Sequence, residues 1–154
     1  MKILFAVDLK EPVNVTRAVE DLAARLEAEL LVVHVFSAAP ASSIPLDPMS
    51  GFGDFSYVLY DPDVQENIEK AEQHEFDAFL VHRFTRPVKA ALLHGDPAPT
   101  LLQEAEAQNV DMIVLGKRHH SRLERLLLGS VTRDVVEHAS RPVLLMPIEK
   151  KEES

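Results

Sequence analysis

The chain has 154 residues, of which 46% are hydrophobic and 27% are charged, and it contains no cysteine. This balance is typical of one folded globular domain, and the lack of cysteine excludes disulfide frameworks, thiolate chemistry and cysteine-based metal sites. The net charge of −9 argues against general attraction to nucleic acids or anionic membranes, and no apolar run is long enough for a signal-peptide core or a membrane span. We therefore expect a cytoplasmic protein that binds neither nucleic acid nor membrane.

The first part of the chain predicts two buried strands with a helix between them. Residues 3–7 (ILFAV) are continuously apolar and end at Asp8, a pattern typical of a strand that is buried on both faces of a sheet. Apolar side chains then recur at helical spacing over residues 15–26, which predicts an amphipathic helix. Residues 30–36 (LLVVHVF) predict a second strand, whereas residues 37–60 show no periodicity and predict a long loop.

The rest of the chain continues the alternation of helix and strand. Asp-Pro pairs at 61–62 and 96–97 are typical of a helix N-cap followed by the first helical residue, and apolar residues at helical spacing follow each pair. A last helix is predicted after Gly129-Ser130. Three further apolar strands are predicted, at residues 88–95, 111–116 and 142–147.

This alternation predicts an α/β fold, a doubly wound parallel sheet of five strands with helices on both faces. A strand order of 3-2-1-4-5 places the ends of the first and fourth strands side by side. Ligands of such sheets bind at the carboxyl ends of the strands, near the point where the strand order reverses. We expect a single domain over residues 1–148, followed by a charged tail at 149–154.

A basic segment bounded by glycines follows the fourth strand. Residues 116–133 contain five Lys and Arg residues against one acidic residue, and Gly116 ends the strand. Gly129 and Ser130 precede the last helix, where free N–H groups and a partial positive charge favour phosphate, while Ser130 could donate a hydrogen bond or cap the helix. Asp8 could accept hydrogen bonds from a ribose hydroxyl or a base. A solvated basic face with an ordinary turn and cap is the alternative.

The sequence lacks the motifs of several enzyme classes. It contains no G-x-x-x-x-G-K-[ST], no G-x-G-x-x-G and no G-x-S-x-G. Asp8 is the only carboxylate expected at its strand end, so a phosphoacceptor cluster and a magnesium carboxylate pair are not predicted, and any ATP hydrolysis would be slow. The seven histidines lack metal-ligand spacing, so we expect no metal site, and His34 inside an apolar strand is expected to be a core histidine with satisfied hydrogen bonds.

Over essentially its whole length, the chain resembles the universal stress protein family. The resemblance rests on ILFAVD near the start, LLVVHVF, HGDP, and above all GKRHHSRLERLLLGSV followed by ASRPVLLMP. It implies the adenine nucleotide alpha hydrolase-like fold. ATP-binding members carry glycine, two residues, glycine, nine residues, then glycine and Ser or Thr. Gly116, Gly129 and Ser130 match this pattern, whereas His119 replaces the middle glycine.

The resemblance also implies which residues contact the nucleotide. Asp8 would lie at the ribose or adenine, Val35 would line the adenine pocket, and the glycine loop would surround the ribose and phosphates. The nucleotide-binding residues expected in this way are Ala6, Asp8, Val35, Leu115, Gly116, His119, Gly129, Ser130 and Val131. Where His119 replaces a glycine, charged side chains can offset lost backbone contacts, and the residues in reach of phosphates would be Lys117, Arg118, Arg122 and Arg125.

A homodimer through the last strand is a further implication of the resemblance. An exposed apolar sheet edge favours pairing across a twofold axis, and the residues of this edge are Val143, Leu144, Leu145 and Met146. The sequence thus predicts a regulatory module that binds ATP or another adenine nucleotide, with the participation of magnesium left open. The alternative is a stress-related protein-interaction dimer whose nucleotide site is vestigial. An enzyme acting on a phosphorylated small molecule is a third possibility.

Overall fold

The computed structural model describes residues 1–37, 62–118 and 128–148. All but the first residue of the predicted loop at 37–60, part of the basic segment and the tail at 149–154 lie outside these ranges. The elements are β1 (Lys2–Val7), α1 (Val13–Arg25), β2 (Glu29–Phe36), α2 (Pro62–Arg83), β3 (Lys89–His94), α3 (Pro97–Ala107), β4 (Met112–Arg118), α4 (Ser130–His138) and β5 (Val143–Ile148).

The five strands form one parallel sheet in the order β3-β2-β1-β4-β5. The predicted fold class and strand order are therefore confirmed. β1 is the central strand and pairs with β2 and β4, so the ends of the first and fourth strands meet at the carboxyl edge of the sheet.

Two apolar clusters lie on opposite faces of the sheet, because successive side chains of a strand point to opposite faces. On one face, Phe5 of β1 packs with Val19 of α1 and with Phe76 of α2. On the other face, Leu4 of β1 packs with Leu101 of α3 and Val135 of α4. The helices therefore cover the sheet in pairs, α1 with α2 and α3 with α4.

The fourth strand extends beyond its predicted end. Gly116 is paired with Met146, and the ladder continues through Lys117 and Arg118, which pair with Pro147 and Ile148. The prediction that Gly116 ends the strand is therefore wrong by two residues, because β5 supplies partners for the start of the basic segment. Pro147 is tolerated within β5 because this strand lies at the edge of the sheet.

The two helix starts agree in position with the Asp-Pro signal, although Asp61, the predicted N-cap of α2, lies outside the described residues. Pro62 and Pro97 are the first residues of α2 and α3. Asp96 occupies the N-cap position of α3, yet its side chain makes no capping hydrogen bond. Gly95 before it has φ of 137°, a conformation that L side chains rarely adopt, so glycine is needed at this turn. None of the described helices is long and apolar enough to cross a bilayer.

Candidate functional site

The carboxyl ends of β1, β2 and β4 form the floor of a cleft of about 230 Å³. In the sheet, Ala6 lies between Val33 and Leu115, so the ends of the three strands are side by side. Leu101 of α3 and Val131 of α4 contribute apolar walls. An apolar cleft at the point where a parallel sheet changes strand order is the usual place for a planar organic ligand.

A second cleft, of about 220 Å³, adjoins the first at the N-terminus of α4. Gly129 is the N-cap residue of this helix, and none of the described side chains caps the helix end. Ser130 is the first helical residue, so it is Gly129 that occupies the capping position. The uncapped N–H groups and the positive end of the helix dipole favour an anion in this second cleft. Both clefts are lined by Asp8, Gly116, Val131 and Thr132.

The two glycines of the predicted loop differ in what the fold requires of them. A Cβ added to Gly116 would lie 2.7 Å from Cδ1 of Ile148, so packing against β5 already explains a glycine there. A Cβ added to Gly129 would meet no atom of the described residues within 4 Å, and its φ of −58° is open to any residue. The described residues therefore give no packing or conformational reason for glycine at position 129, and they leave the space beside it open.

The turn after β1 places two carboxyl groups at the same edge. Asp8 is exposed, and its Oδ1 accepts a hydrogen bond from the N–H of Lys10 at 2.9 Å. The N–H of Asp8 donates to Oε1 of Glu11, also at 2.9 Å. Leu9 between them has φ of 70°, which is uncommon for a bulky side chain. The prediction that Asp8 is the only carboxylate at this strand end is wrong, because the turn folds Glu11 back against it.

Glu11 is almost completely buried, with 3% of its surface exposed. Its Oε2 is buried and has no hydrogen-bond partner among the described residues. Burial raises the pKa of the Glu11 carboxyl to about 7; the hydrogen bond from the Asp8 N–H opposes this rise, and the negative charge of Asp8 adds to it. The carboxyl edge therefore carries a group that exchanges a proton near neutral pH.

His34 lines the first cleft from β2 and is buried. Its Nδ1 lies 2.9 Å from the carbonyl oxygen of Val7, and its Nε2 lies 2.5 Å from Oε1 of Glu72 on α2. Both ring nitrogens of His34 therefore have a hydrogen-bond partner. The prediction of a core histidine with satisfied hydrogen bonds is confirmed, and the side chain links the central strands to α2.

Apart from Arg118, the described residues of the predicted nucleotide site line one or both clefts. Lining only the first cleft are Ala6, Val35 and Leu115. Lining only the second are Lys117, Gly129 and Ser130. Lining both are Asp8, Gly116 and Val131. Arg118 ends β4, and only its backbone is described. The predicted residues that lie outside the described ranges are His119, Arg122 and Arg125.

Eight lining residues were not identified from the sequence as part of the site; they are Val7, Glu11, Val33, His34, Pro97, Leu101, Leu128 and Thr132. Leu101 belongs to the apolar stripe of α3, so its burial was predictable, although its place in a cleft was not. Pro97 begins the same helix and was interpreted only as a helix-start residue. Glu11 and Thr132 carry no sequence signal, because their positions in the site depend on how the β1–α1 turn and α4 pack.

The residues of the predicted dimer contact lie in β5, at one edge of the sheet. β5 is an edge strand, and among the described residues it pairs only with β4. The four apolar side chains of the predicted dimer edge are half-buried, and they alternate between the two faces; they are Val143, Leu144, Leu145 and Met146. Within the described ranges, no three His, Asp or Glu side chains lie close enough together to hold a metal ion.

Comparisons with known proteins identify the family that this chain resembles in sequence and in fold. The family model of the universal stress proteins matches residues 1–147. A universal stress protein of Thermus aquaticus is 31% identical over 145 residues, which cover 94% of this chain and 96% of that protein. Among solved structures, a universal stress protein of Archaeoglobus fulgidus in complex with dAMP superposes with a TM-score of 0.56 at 19% identity, over 94% of this chain and 96% of that one.

A second solved structure, a universal stress protein in complex with cAMP, gives a TM-score of 0.55 at 17% identity. The superposition covers 97% of this chain and 98% of that one. At these identities, both structures are similar to this chain in fold.

Proposed function

The chain belongs to the universal stress protein family, and we propose that it acts as a regulatory module that binds an adenine nucleotide in the two adjoining clefts at the carboxyl edge of its sheet. The observation that carries this proposal is the space at Gly129 that the described residues leave open, beside a helix N-terminus that none of their side chains caps. The complexes of two relatives with cAMP and dAMP support the same class of ligand.

The two clefts divide the chemistry of a nucleotide between them. The first is lined mainly by apolar side chains from the strand ends, among them Ala6, Val35 and Leu115, and suits a planar base. The second presents the N-terminus of α4 and the cation of Lys117, and suits phosphate. Asp8 lines both clefts and is placed to accept hydrogen bonds from ribose hydroxyls between base and phosphate.

ATP is the ligand expected from the loop pattern. A magnesium ion that accompanies ATP is held largely by the phosphates and by water. It would neutralise charge on the phosphates, and the role of this chain is to hold and orient the nucleotide.

The test is binding of ATP and AMP to the purified protein and to Gly129→Val, by calorimetry. The valine side chain fills the space that the described residues leave open, so we expect at least a tenfold loss of affinity, on the order of 1.4 kcal/mol. The thermal midpoint should stay close to that of the wild type. The matched control is Ala24→Val on the exposed side of α1, which adds the same side chain far from the carboxyl edge and should leave affinity unchanged.

Equal affinity of the wild type and Gly129→Val would contradict the proposed site. Absence of adenine nucleotide binding in the wild type, with a dimer preserved, would favour the alternative function, a protein-interaction dimer with a vestigial site. Native mass spectrometry of the purified protein reports both quantities together, namely the number of subunits and any co-purifying nucleotide.

We also propose a homodimer through β5. The half-buried apolar side chains of an edge strand support this arrangement, because an uncovered edge of that composition pairs readily with another strand. Leu145→Asp should give monomers or insoluble protein in sedimentation experiments. A wild type that sediments as a monomer at about micromolar concentration, the range of many specific dimers, would contradict the dimer.

A further inference from the structure

The β1–α1 turn contains a carboxyl oxygen that the proposed nucleotide contacts do not use. Oε1 of Glu11 accepts the N–H of Asp8, whereas Oε2 is buried and has no partner among the described residues. A buried carboxylate oxygen without a hydrogen bond is costly, so such groups are satisfied by a proton, by a ligand or by water. Since Glu11 lines the first cleft, the missing partner bears on the ligand site itself.

Apart from Glu11 itself, the charged and titratable groups that line the two clefts come from three elements. Asp8 belongs to the same turn, His34 comes from β2 and is hydrogen-bonded to Glu72 of α2, and Lys117 comes from the extended end of β4. The other helices on this cleft, α3 and α4, contribute only uncharged side chains to its lining. The carboxylate of Asp8 is therefore the negative charge that bears most directly on Glu11.

We propose that Glu11 is a positioning residue of the nucleotide site, whose carboxyl shares one proton with Asp8, and that binding of an anionic nucleotide is coupled to the uptake of this proton. The inference rests on the proposed function. With the proton in place, the Glu11 hydroxyl donates to the Asp8 carboxylate, and the pair carries a single negative charge. Without it, two adjacent negative charges lie next to the cleft in which phosphate would bind.

The pKa of about 7 places this exchange near neutral pH, and its first cause is burial of Glu11. An anionic ligand disfavours the doubly charged pair, so it favours the protonated pair. Coupling between two ligands of one protein is reciprocal, so protonation must favour the anion to the same extent. The affinity for an anionic nucleotide should therefore fall as pH rises through about 7, because the pair then loses its proton.

The experiment measures AMP and cAMP binding between about pH 6 and about pH 8, one unit either side of the Glu11 value. Calorimetry in buffers of different ionisation enthalpy gives the protons taken up. The wild type should lose at least about fivefold in affinity across this range, a modest coupling between sites. Glu11→Gln mimics the protonated acid and should remove both the loss and the proton uptake. cAMP serves as a second probe because it lacks the monoester ionisation near pH 6, about where AMP titrates.

The matched control is Glu66→Gln on the exposed surface of α2, which should behave as the wild type. His119 is present in all three proteins, so its own titration cancels in the comparison. A second measurement uses the ligand-free protein. In an NMR titration, the ¹³C carboxyl signal of Glu11 should titrate near neutral pH.

Two results would overturn the inference. One is the same pH dependence of affinity in the wild type and Glu11→Gln. The other is a Glu11 carboxyl that titrates in the ordinary glutamate range, around pH 4.3, in the ligand-free protein. Absence of nucleotide binding at every pH, with Glu11 titrating near neutral, would instead contradict the proposed function.

Discussion

The two edges of the sheet differ in how completely the hydrogen bonds of their carboxylates are satisfied. At the amino edge, where the strands begin, carboxylates have close partners. Oε2 of Glu29 lies 2.9 Å from Nζ of Lys89, and the N–H of Lys2 donates to Asp111 at 2.7 Å. Arg141, just before β5, donates to Glu106 and to the carbonyl oxygen of Val110. These bonds connect the starts of the strands to one another and to the end of α3.

At the carboxyl edge, some polar groups lack such partners. Glu11 keeps a buried oxygen without a partner among the described residues. The N-terminus of α4 is not capped by any described side chain, and a Cβ at Gly129 would meet none of the described atoms. Unsatisfied polar groups persist at functional sites, where a ligand or a proton completes them. The contrast therefore supports the carboxyl edge as the binding edge.

Cleft size alone would have pointed to the other edge. A larger cleft of about 310 Å³ lies at the amino edge between α1 and the segment that precedes β3. Two of its three lining carboxylates are already bonded, since Glu20 accepts the N–H and the hydroxyl of Thr85, and Glu29 pairs with Lys89. Polar groups that already satisfy one another offer a ligand little binding energy, so volume is a weaker guide than unsatisfied chemistry.

Among the predictions that test this contrast between the two edges, the largest effect on stability is expected for Glu11→Gln. The folded-state pKa of about 7 exceeds the ordinary value of 4.5, so the folded protein binds this proton more tightly than the unfolded chain. Stability from this proton is complete below about pH 4.5 and is lost as pH rises to about 7. Because Gln does not ionise, this loss of stability does not occur in Glu11→Gln. Its free energy of unfolding should therefore exceed that of the wild type by on the order of 2 kcal/mol at about pH 8.

Urea unfolding at about pH 5 and about pH 8 measures this effect, since the advantage of Glu11→Gln should grow between the two values. An advantage that is the same at both would mean that Glu11 is not the titrating group.

At the amino edge, Arg141→Ala should lower the thermal midpoint by a few degrees. The substitution removes the bonds to Glu106 and Asn109 and leaves the carbonyl oxygen of Val110 without its donor. Nucleotide affinity should not change, because none of these residues lines either cleft at the carboxyl edge. Scanning calorimetry with and without AMP separates the two effects, with the exposed Arg17→Ala as control. A loss of affinity in Arg141→Ala would show that the edges are coupled.

A smaller effect distinguishes the two glycines of the carboxyl edge. Gly116→Ala places a methyl group 2.7 Å from Cδ1 of Ile148, and it should cost about 1 kcal/mol because only the end of a flexible side chain must move. Gly129→Ala meets no atom and should change stability by less than about 0.5 kcal/mol, as surface substitutions usually do. Urea unfolding of both variants checks this ranking; equal costs would contradict the packing argument.

The smallest effect concerns acid at the amino edge. The hydrogen bond from Lys89 lowers the pKa of Glu29, and hydrogen bonds from Arg141 and Ser140 lower that of Glu106. Stability from a lowered pKa is present above the ordinary value and is lost as pH falls through the folded-state value. Both groups are exposed, so Glu29→Gln should only slightly flatten the acid limb of the stability profile, as thermal midpoints between about pH 3 and about pH 6 would show. A steeper acid limb in Glu29→Gln would contradict this assignment.

Much of the architecture could be predicted from the sequence, because buried strands and amphipathic helices have local signatures. Continuous apolar runs marked all five strands within a few residues, and Pro62 and Pro97 marked two helix starts. The end of β4 could not be placed in this way. Its last residues, Lys117 and Arg118, are polar, and they are in strand conformation only because β5 pairs with them.

At the site, the sequence by itself determined the features that depend on neighbouring residues in the chain. The tertiary structure decided which space stays open and which polar group stays unsatisfied. Gly129-Ser130 before a helix, and Asp8 after a strand, are readable because each depends on its immediate neighbours in the chain. The open space at Gly129 depends on what the rest of the fold leaves unfilled. The burial of Glu11 depends on a turn that folds its side chain back onto Asp8 and against β4, since the solvation of a carboxyl group is decided by the groups that surround it in space.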